Sequence, residues 1–185
     1  MNFQRVKTKK GHTKCTEQKI CVNVSPQASC LQIIARNCPK RARRENENGT
    51  NIEIGEECYI NFNCSFIDDY KIRLGNNVML GPSVTIATVG HPINPRLREY
   101  MYCEPVIIED NCWIGTGSII CPGVTIGKNS VIGAGSVVLI DIPENSVAAG
   151  NPCAVIRQID ERDEKYYYKD REITKQDLDE EASYR

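Results

Sequence analysis

The sequence predicts an all-β protein, a parallel β-helix built from a repeat of six residues. Between residues 54 and 142 a large apolar residue heads each unit, with two interruptions. The residue after the head is often Gly, and the fifth residue is usually small or β-branched. A period of six fits neither the 3.6-residue period of a helix nor the alternation of a plain strand. It does fit a short strand followed by a turn.

The unit heads define the order of the strands. We expect the head and the fifth residue of each unit to point inward, with Gly and Asn in the turns. Three strands would close a triangular coil of about 18 residues, and coils would stack at roughly 4.8 Å. The heads then form coils at 54–66, 74–86, 108–120 and 126–138. They are Ile54, Ile60, Phe66, Leu74, Leu80, Ile86, Ile108, Ile114, Ile120, Ile126, Ile132 and Val138. The alternative, a β-sandwich of short strands, would not place loops at every sixth residue.

Two insertions interrupt the repeat, and the period fades after Val138. The first adds two residues around Asp68-Asp69-Tyr70. The second places sixteen extra residues between Ile86 and Ile108, and long loops on a rigid scaffold often carry function. We expect a protruding loop here.

The two ends of the chain lack the repeat. Residues 1–44 carry eleven Lys/Arg and one acid, a net charge of +10, which leaves −11 for the remainder of a chain whose total is −1. We predict a basic, poorly ordered arm over residues 1–50, a β-helix domain over 51–156, and a C-terminal cap and charged tail over 157–185. Residues near Tyr166 would form the cap, and residues beyond Thr174 would be frayed.

Composition excludes several classes of protein. No run approaches the roughly 18 apolar residues of a membrane helix, so we expect no membrane partner. The N-terminus lacks the apolar core of a secretory signal, which predicts a cytoplasmic protein with reduced cysteines. Two histidines cannot form a three-histidine zinc site in one chain, and the arm cysteines lack CxxC spacing, so we expect no metal. The arm contains one aromatic residue, which makes nucleic-acid binding improbable.

The strongest candidate for chemistry is His91, in the long loop between Gly90 and Pro92. A neutral imidazole with a pKa near 6.5 can accept a proton from a hydroxyl group at neutral pH. The alternative is an ordinary surface histidine.

Three polar residues and one aromatic residue could contact a ligand. Asn61, Asp68 and Asp69 lie near turns of the first coil and could hydrogen-bond a polyol, although such residues are common in turns. Trp113 precedes a head, so it should point outward and cover a ligand or a neighbouring chain.

Several longer motifs resemble the hexapeptide-repeat sugar O-acetyltransferases, especially the galactoside and maltose O-acetyltransferases. The resemblance covers about residues 50–172. The motifs are NFNCSFIDD at 61–69, TVGHP at 88–92, NCWIG at 111–115, PGVTIG at 122–127, SVIGAGS at 130–136 and AAGNPC at 148–153.

The resemblance implies a left-handed β-helix and a homotrimer with active sites between subunits. It implies acetyl-CoA as the acetyl donor, a sugar hydroxyl as the acceptor, and His91 as the general base, with no acyl-enzyme. Asn61 and Asp69 match acceptor-binding positions. The positions that match acetyl-CoA-binding residues are Gly81, Trp113, Thr116, Ala134 and Arg157.

Three positions depart from the family pattern. Leu139, Ile140 and Ala154 replace polar or cationic residues that contact the donor, which predicts weaker acetyl-CoA affinity. The family also has no counterpart of residues 1–50, so the acceptor is undetermined. Two other functions are alternatives. One is a catalytically impaired scaffold, and the other is a carbonic anhydrase of the related β-helix type, which needs three histidines where residues 51–185 supply one.

Overall fold

A computed structural model describes residues 51–183. Residues 52–150 form a left-handed parallel β-helix of triangular cross-section. The predicted arm, with His12 and with Cys15, Cys21, Cys30 and Cys38, lies outside the described residues. The fold predicted from the repeat is confirmed.

Short strands form the sides of each coil. The first coil contains β1 (Ile52–Ile54), β2 (Tyr59–Ile60) and β3 (Ser65–Ile67). The second contains β4 (Ile72–Leu74), β5 (Met79–Leu80) and β6 (Thr85–Ala87). A loop ribbon follows, formed by β7 (Val89–Gly90) and β8 (Tyr102–Cys103). The third coil contains β9 (Val106–Ile108), β10 (Trp113–Ile114) and β11 (Ile119–Ile120). The fourth contains β12 (Thr125–Ile126), β13 (Val131–Ile132) and β14 (Val137–Val138).

The strands stack into three parallel sheets, one on each side of the triangle. We call them side A (β1, β4, β9, β12), side B (β2, β5, β10, β13) and side C (β3, β6, β11, β14). Side B continues into β15 (Ser146–Gly150), and β16 (Cys153–Gln158) pairs antiparallel with β15.

The core follows the predicted six-residue pattern. Eleven of the twelve heads are buried, and Ile54, in the first described coil, is partly buried. Fifth positions such as Cys64, Val78 and Ser130 fill the inner corners. The six described cysteines are free, and three of them are buried. The burial of Cys64, Cys112 and Cys153 fits the packing role expected for the cysteines of the repeat region.

The fourth residue of most units turns the chain with a positive φ. Asn77, Asn111 and Asn129 confirm the predicted use of Asn in turns. The other fourth-position residues with positive φ are Glu57, Asn63, Ser83, Asn145, Gly117, Gly123 and Gly135. Because this conformation is cheap for Gly and Asn, it explains their recurrence in the sequence.

Every irregularity in the repeat lies at the turn from side C to side A, which we call the C–A corner. The two-residue insertion and the long loop both lie there. The third irregularity was missed from the sequence. Ile142 bridges to Ile126 only four residues after Val138, so this turn is two residues short. The repeat then resumes with buried Ile142 and Ala148, so the expectation that the period fades after Val138 was wrong.

The C-terminal region folds after β16. Two 3-10 turns (Glu161–Glu164 and Tyr168–Asp170) precede helix α1 (Lys175–Ser183). The Asp177 carboxylate accepts hydrogen bonds from the N–H and Oγ1 of Thr174 at the start of the helix. A helix thus occupies residues that we expected to be frayed. No helix within residues 51–183 is long and apolar enough to cross a membrane.

Candidate active site

The long loop rises from the C–A corner as an antiparallel ribbon. β7 pairs with β8, so that Val89 lies opposite Cys103. A 3-10 turn over Pro95–Leu97 closes the loop, and the Asn94 side chain caps it by accepting the Arg96 N–H at 3.0 Å. The loop is therefore a folded element that can hold a side chain in a defined direction.

His91 is exposed at the base of this loop, and its ring is oriented by two backbone carbonyls. Its Nδ1 lies 2.8 Å from the Arg98 carbonyl oxygen and 3.0 Å from the Tyr100 carbonyl oxygen. A carbonyl oxygen only accepts hydrogen bonds, so Nδ1 carries the hydrogen of the neutral ring. Nε2 is then the unprotonated nitrogen, which is the state a general base requires.

The two orienting carbonyls could not be found from the sequence. Backbone oxygens exist at every residue, and only the path of the loop brings those of Arg98 and Tyr100 to the ring. The Gly90-His91-Pro92 motif indicated a restrained histidine, but it did not indicate its tautomer.

Asp69 lies at the same corner, one coil below the loop. It belongs to the inserted bend of residues 68–70, which is hydrogen-bonded to Thr88 of the second coil. Thr88 Oγ1 donates to the Ile67 carbonyl at 2.8 Å and accepts the Tyr70 N–H at 2.9 Å. Asp69 is half-buried, and His91 follows Thr88 by three residues. The C–A corner therefore brings two of the predicted site residues close in the fold.

Four other predicted residues form a column at the turn from side B to side C, the B–C corner. Strand pairing stacks Ile60 with Leu80, Leu80 with Ile114, and Ile114 with Ile132. The residues that follow these heads by one or two positions are therefore aligned along the solenoid. The column contains Asn61, Gly81, Thr116 and Ala134.

The surface of this column is nearly free of large side chains in its upper coils. A Cβ at Gly81 would lie 2.7 Å from the Thr116 N, so this glycine allows the coils to stack closely. Gly117 and Gly135 have positive φ and no heavy atom within 4 Å of a hypothetical Cβ. The upper column is thus a shallow, backbone-lined surface on which an extended chain could lie.

Trp113 faces outward, as predicted, with 51% of its surface exposed. It stands between Met79 and Val131 in the parallel register of side B. We call this row of outward residues the side-B stripe, which comprises Tyr59, Met79, Trp113, Val131 and Val147.

Arg157 lies on β16 and is bound by an acid. Its Nη1 and Nη2 donate to the two carboxylate oxygens of Asp163 at 2.6 and 2.7 Å. This guanidinium lowers the pKa of Asp163 to about 2. Asp163 is not marked in the sequence as the partner of Arg157, because the pairing depends on the 3-10 turn that follows β16. Leu139, Ile140 and Ala154 are exposed, as residues facing a ligand would be.

The predicted site residues therefore fall into two groups on different corners of one chain. His91 and Asp69 lie at the C–A corner, whereas Asn61 and the column lie at the B–C corner. Side C separates them, and six residues of extended chain span at most about 20 Å.

Comparison with known proteins gives consistent matches. The bacterial transferase hexapeptide family (six repeats) matches residues 105–139. A galactoside O-acetyltransferase of Escherichia coli (strain K12) is 53% identical over 127 residues, which cover 68% of this chain and 63% of that protein.

Solved structures agree in sequence and in fold. A galactoside acetyltransferase in complex with coenzyme A superposes with a TM-score of 0.66 at 51% identity, covering 68% of this chain and 64% of that one. A maltose O-acetyltransferase from Clostridium difficile 630 superposes with a TM-score of 0.60 at 48% identity, covering 72% and 70%. The chain spans 63% to 65% of the length of the two curated galactoside O-acetyltransferases that it matches.

Proposed function

This chain belongs to the hexapeptide-repeat acetyltransferases, in the group of the galactoside and maltose O-acetyltransferases, and from that premise we propose that it transfers an acetyl group from acetyl-CoA to a hydroxyl group of a sugar. The observation that carries the proposal is the orientation of His91, whose Nδ1 hydrogen is held by two carbonyl oxygens.

In the proposed reaction His91 acts as general base. Its Nε2 accepts the proton of the acceptor hydroxyl as that oxygen attacks the thioester carbonyl. The new ester C–O bond forms, the C–S bond breaks, and the proton passes from His91 to the departing thiolate. The Arg98 and Tyr100 carbonyls accept the Nδ1 hydrogen throughout the step and so keep Nε2 directed at the reacting hydroxyl. General base catalysis of this kind contributes about 10²–10⁴-fold to the rate.

The B–C column fits the donor. An acyl-CoA supplies a reactive thioester on a long pantetheine arm, and the glycine-lined upper column leaves room for such an arm. Gly81, Thr116 and Ala134 would lie along it, and Trp113 would border it from side B. Arg157, whose side chain is partly exposed beside Asp163, would supply a cation for the phosphate end.

Asn61 and Asp69 are proposed to bind the sugar acceptor. They occupy different corners of one chain, so they can meet in one site only if two chains contribute. We therefore propose a homotrimer in which the C–A corner of one subunit faces the B–C corner of the next. Three residues of the side-B stripe next to that corner, Tyr59, Met79 and Trp113, are exposed, and they support such a contact.

Cytoplasmic location is part of the proposal. The six described cysteines are free, and unpaired thiols of this number are typical of a reducing compartment.

The test is an assay of acetyl-CoA-dependent thiol release with galactosides, maltose and aminosugars as acceptors. We expect turnover with at least one acceptor and a loss of about 10²–10⁴-fold in kcat for His91→Ala. His12→Ala, the other histidine of the chain, is the matched control and should leave kcat unchanged. Absence of turnover with all acceptors, or full activity in His91→Ala, would refute the proposal.

A catalytically impaired scaffold is the second candidate function. Exposed Leu139, Ile140 and Ala154 place no cation at the positions that resemble donor-contacting residues. Titration with acetyl-CoA separates the two functions, because a scaffold need not bind it. If the protein is an enzyme, its binding of acetyl-CoA should be measurable. Ala154→Arg should strengthen that binding.

A further inference from the structure

Asp68 is a buried carboxylate for which the proposed reaction has no use. Only 4% of its surface is exposed, although it belongs to an inserted bend whose next residues are half-buried or exposed. Its Oδ1 is buried and has no hydrogen-bond partner among the described residues. A buried acid with an unsatisfied oxygen lowers stability, so packing alone does not explain why an acid stands here.

The bend that contains Asp68 is held by hydrogen bonds from two sides. From below, Asn51 Nδ2 donates to the Asp68 carbonyl oxygen at 2.7 Å. From above, Thr88 Oγ1 bonds both the Ile67 carbonyl and the Tyr70 N–H, which flank the two aspartates. With its ends fixed, the bend buries the Asp68 side chain and leaves Asp69 half-buried and Tyr70 exposed.

The register links this bend to the loop that carries His91. Ile67 pairs with Ala87, so Asp68 lies below Thr88 at the same inner corner. A change in the depth of the Asp68 side chain would therefore move Asp69 relative to Thr88 and to the base of the loop.

We propose that Asp68 is a positioning residue, whose buried side chain anchors the bend of residues 68–70 and so sets the direction in which Asp69 meets the acceptor. This inference rests on the proposed function, because it concerns the acceptor side of that site. The pKa of Asp68 is raised to about 6, chiefly by burial and also by the charge of Asp69, while hydrogen bonds from its own backbone N–H and from that of Asn51 lower it. The charged group that faces Asp68 is Asp69, and Asn51 directly precedes β1.

The test compares four variants of the full chain in the acetyl-transfer assay. For Asp68→Ala we expect the KM for the sugar acceptor to rise about tenfold, while the KM for acetyl-CoA stays within twofold of wild type. Asp68→Asn keeps the shape and an acceptor oxygen, so it should restore most of the acceptor KM. Asn51→Ala loosens the same bend without touching the buried side chain and should shift the acceptor KM in the same direction.

Asp110→Ala is the matched control. Asp110 is exposed and accepts the Asn76 N–H at 2.7 Å at the turn from side A to side B, away from both groups of site residues. Its replacement should leave both KM values unchanged.

Hydrogen exchange supplies a readout that does not depend on turnover. The Tyr70 amide, bonded to Thr88 Oγ1, should exchange several-fold faster in Asp68→Ala, while the amides of side A should be unaffected. If Asp68→Ala leaves the acceptor KM unchanged, or raises the KM for acetyl-CoA equally, the positioning role of Asp68 is wrong while the proposed function still stands. If the wild type turns over no acceptor, the proposed function falls and this role falls with it, and faster exchange would then mark Asp68 as purely structural.

Discussion

At the scale of single residues, the His91 ring is oriented by main-chain oxygens that lie seven and nine residues further along the same loop. The Gly90-His91-Pro92 segment supplies the candidate base, and the return of the loop supplies its hydrogen-bond acceptors. The tautomer of His91 depends on the carbonyls of Arg98 and Tyr100, which no residue type encodes. Asp68 shows the reverse case, because its sequence position suggested a ligand contact whereas the structure buries it.

The buried carboxyl of Asp68 predicts a pH dependence of stability. Its pKa is raised from the ordinary 3.8 to about 6, so the folded protein binds this proton more tightly than the unfolded chain. The contribution of Asp68 to the free energy of unfolding is therefore greatest at low pH. It falls as the pH rises from about 4 to 6.

Asp68→Asn should remove this dependence. Above pH 6.5 we expect the variant to be more stable than wild type by about 1–3 kcal/mol, because a shift of one pKa unit corresponds to about 1.4 kcal/mol. Below pH 4 the difference should vanish. Urea unfolding at pH 4 and pH 7.5 measures both limits, and Asp110→Asn serves as control. A variant that is less stable at pH 7.5 would contradict the expectation.

At the scale of the elements, the six-residue unit contains two kinds of glycine with different structural roles. Gly115 follows a head, and a Cβ there would lie 2.5 Å from the Ala134 N in the next coil. Gly117 occupies the fourth position with φ +69°, and a Cβ there would meet nothing within 4 Å. The first glycine is needed for space and the second for backbone angle.

Substitutions at Gly115 and Gly117 should distinguish the two roles by their effect on stability. Gly115→Ala forces adjacent coils apart, and overpacking of this kind costs about 1–3 kcal/mol. Gly117→Asn should cost less than about 1 kcal/mol, because Asn adopts the left-handed conformation at equivalent turns. Denaturant unfolding of both variants gives the comparison. Equal destabilisation would show that the two positions are not distinguished in this way.

The repeat made the elements highly predictable. Each head is set by local apolar character, and stacking reinforces it, so the sequence alone located all four coils. What it missed is the continuation of the stack through Ile142 and β15, because the turn before Ile142 is two residues short and shifts the phase of the repeat. The C-terminal helix was missed for another reason. It begins with a Thr174–Asp177 cap rather than an apolar face, so hydrophobic periodicity does not mark it.

At the scale of the whole molecule, the two groups of site residues lie on opposite corners of side C. Sequence motifs indicated both groups but not this separation, since distance around a coil follows from the triangular cross-section. The separation is the physical reason for proposing that a site is shared between two subunits.

A shared site predicts recovery of activity in mixed trimers. His91→Ala disables the C–A corner, and Ala134→Trp would block the B–C column. When the two variants are unfolded together in equal amounts and refolded, about one site in four should combine two intact corners from different subunits. We expect activity near a quarter of wild type, whereas each variant refolded alone should stay inactive. No recovery would place each site within one chain.

The concentration of irregular turns at the C–A corner also bears on how such a solenoid acquires new parts. Within this chain the same corner tolerates two added residues, sixteen added residues and two deleted residues, while the coils on either side keep their pairing. Strand pairing within sides A, B and C stabilises the stack, so the number of residues in the turn at the C–A corner has little effect on folding. The corner therefore acts as a grafting point, where recognition loops can be exchanged or extended without redesign of the scaffold that supports them.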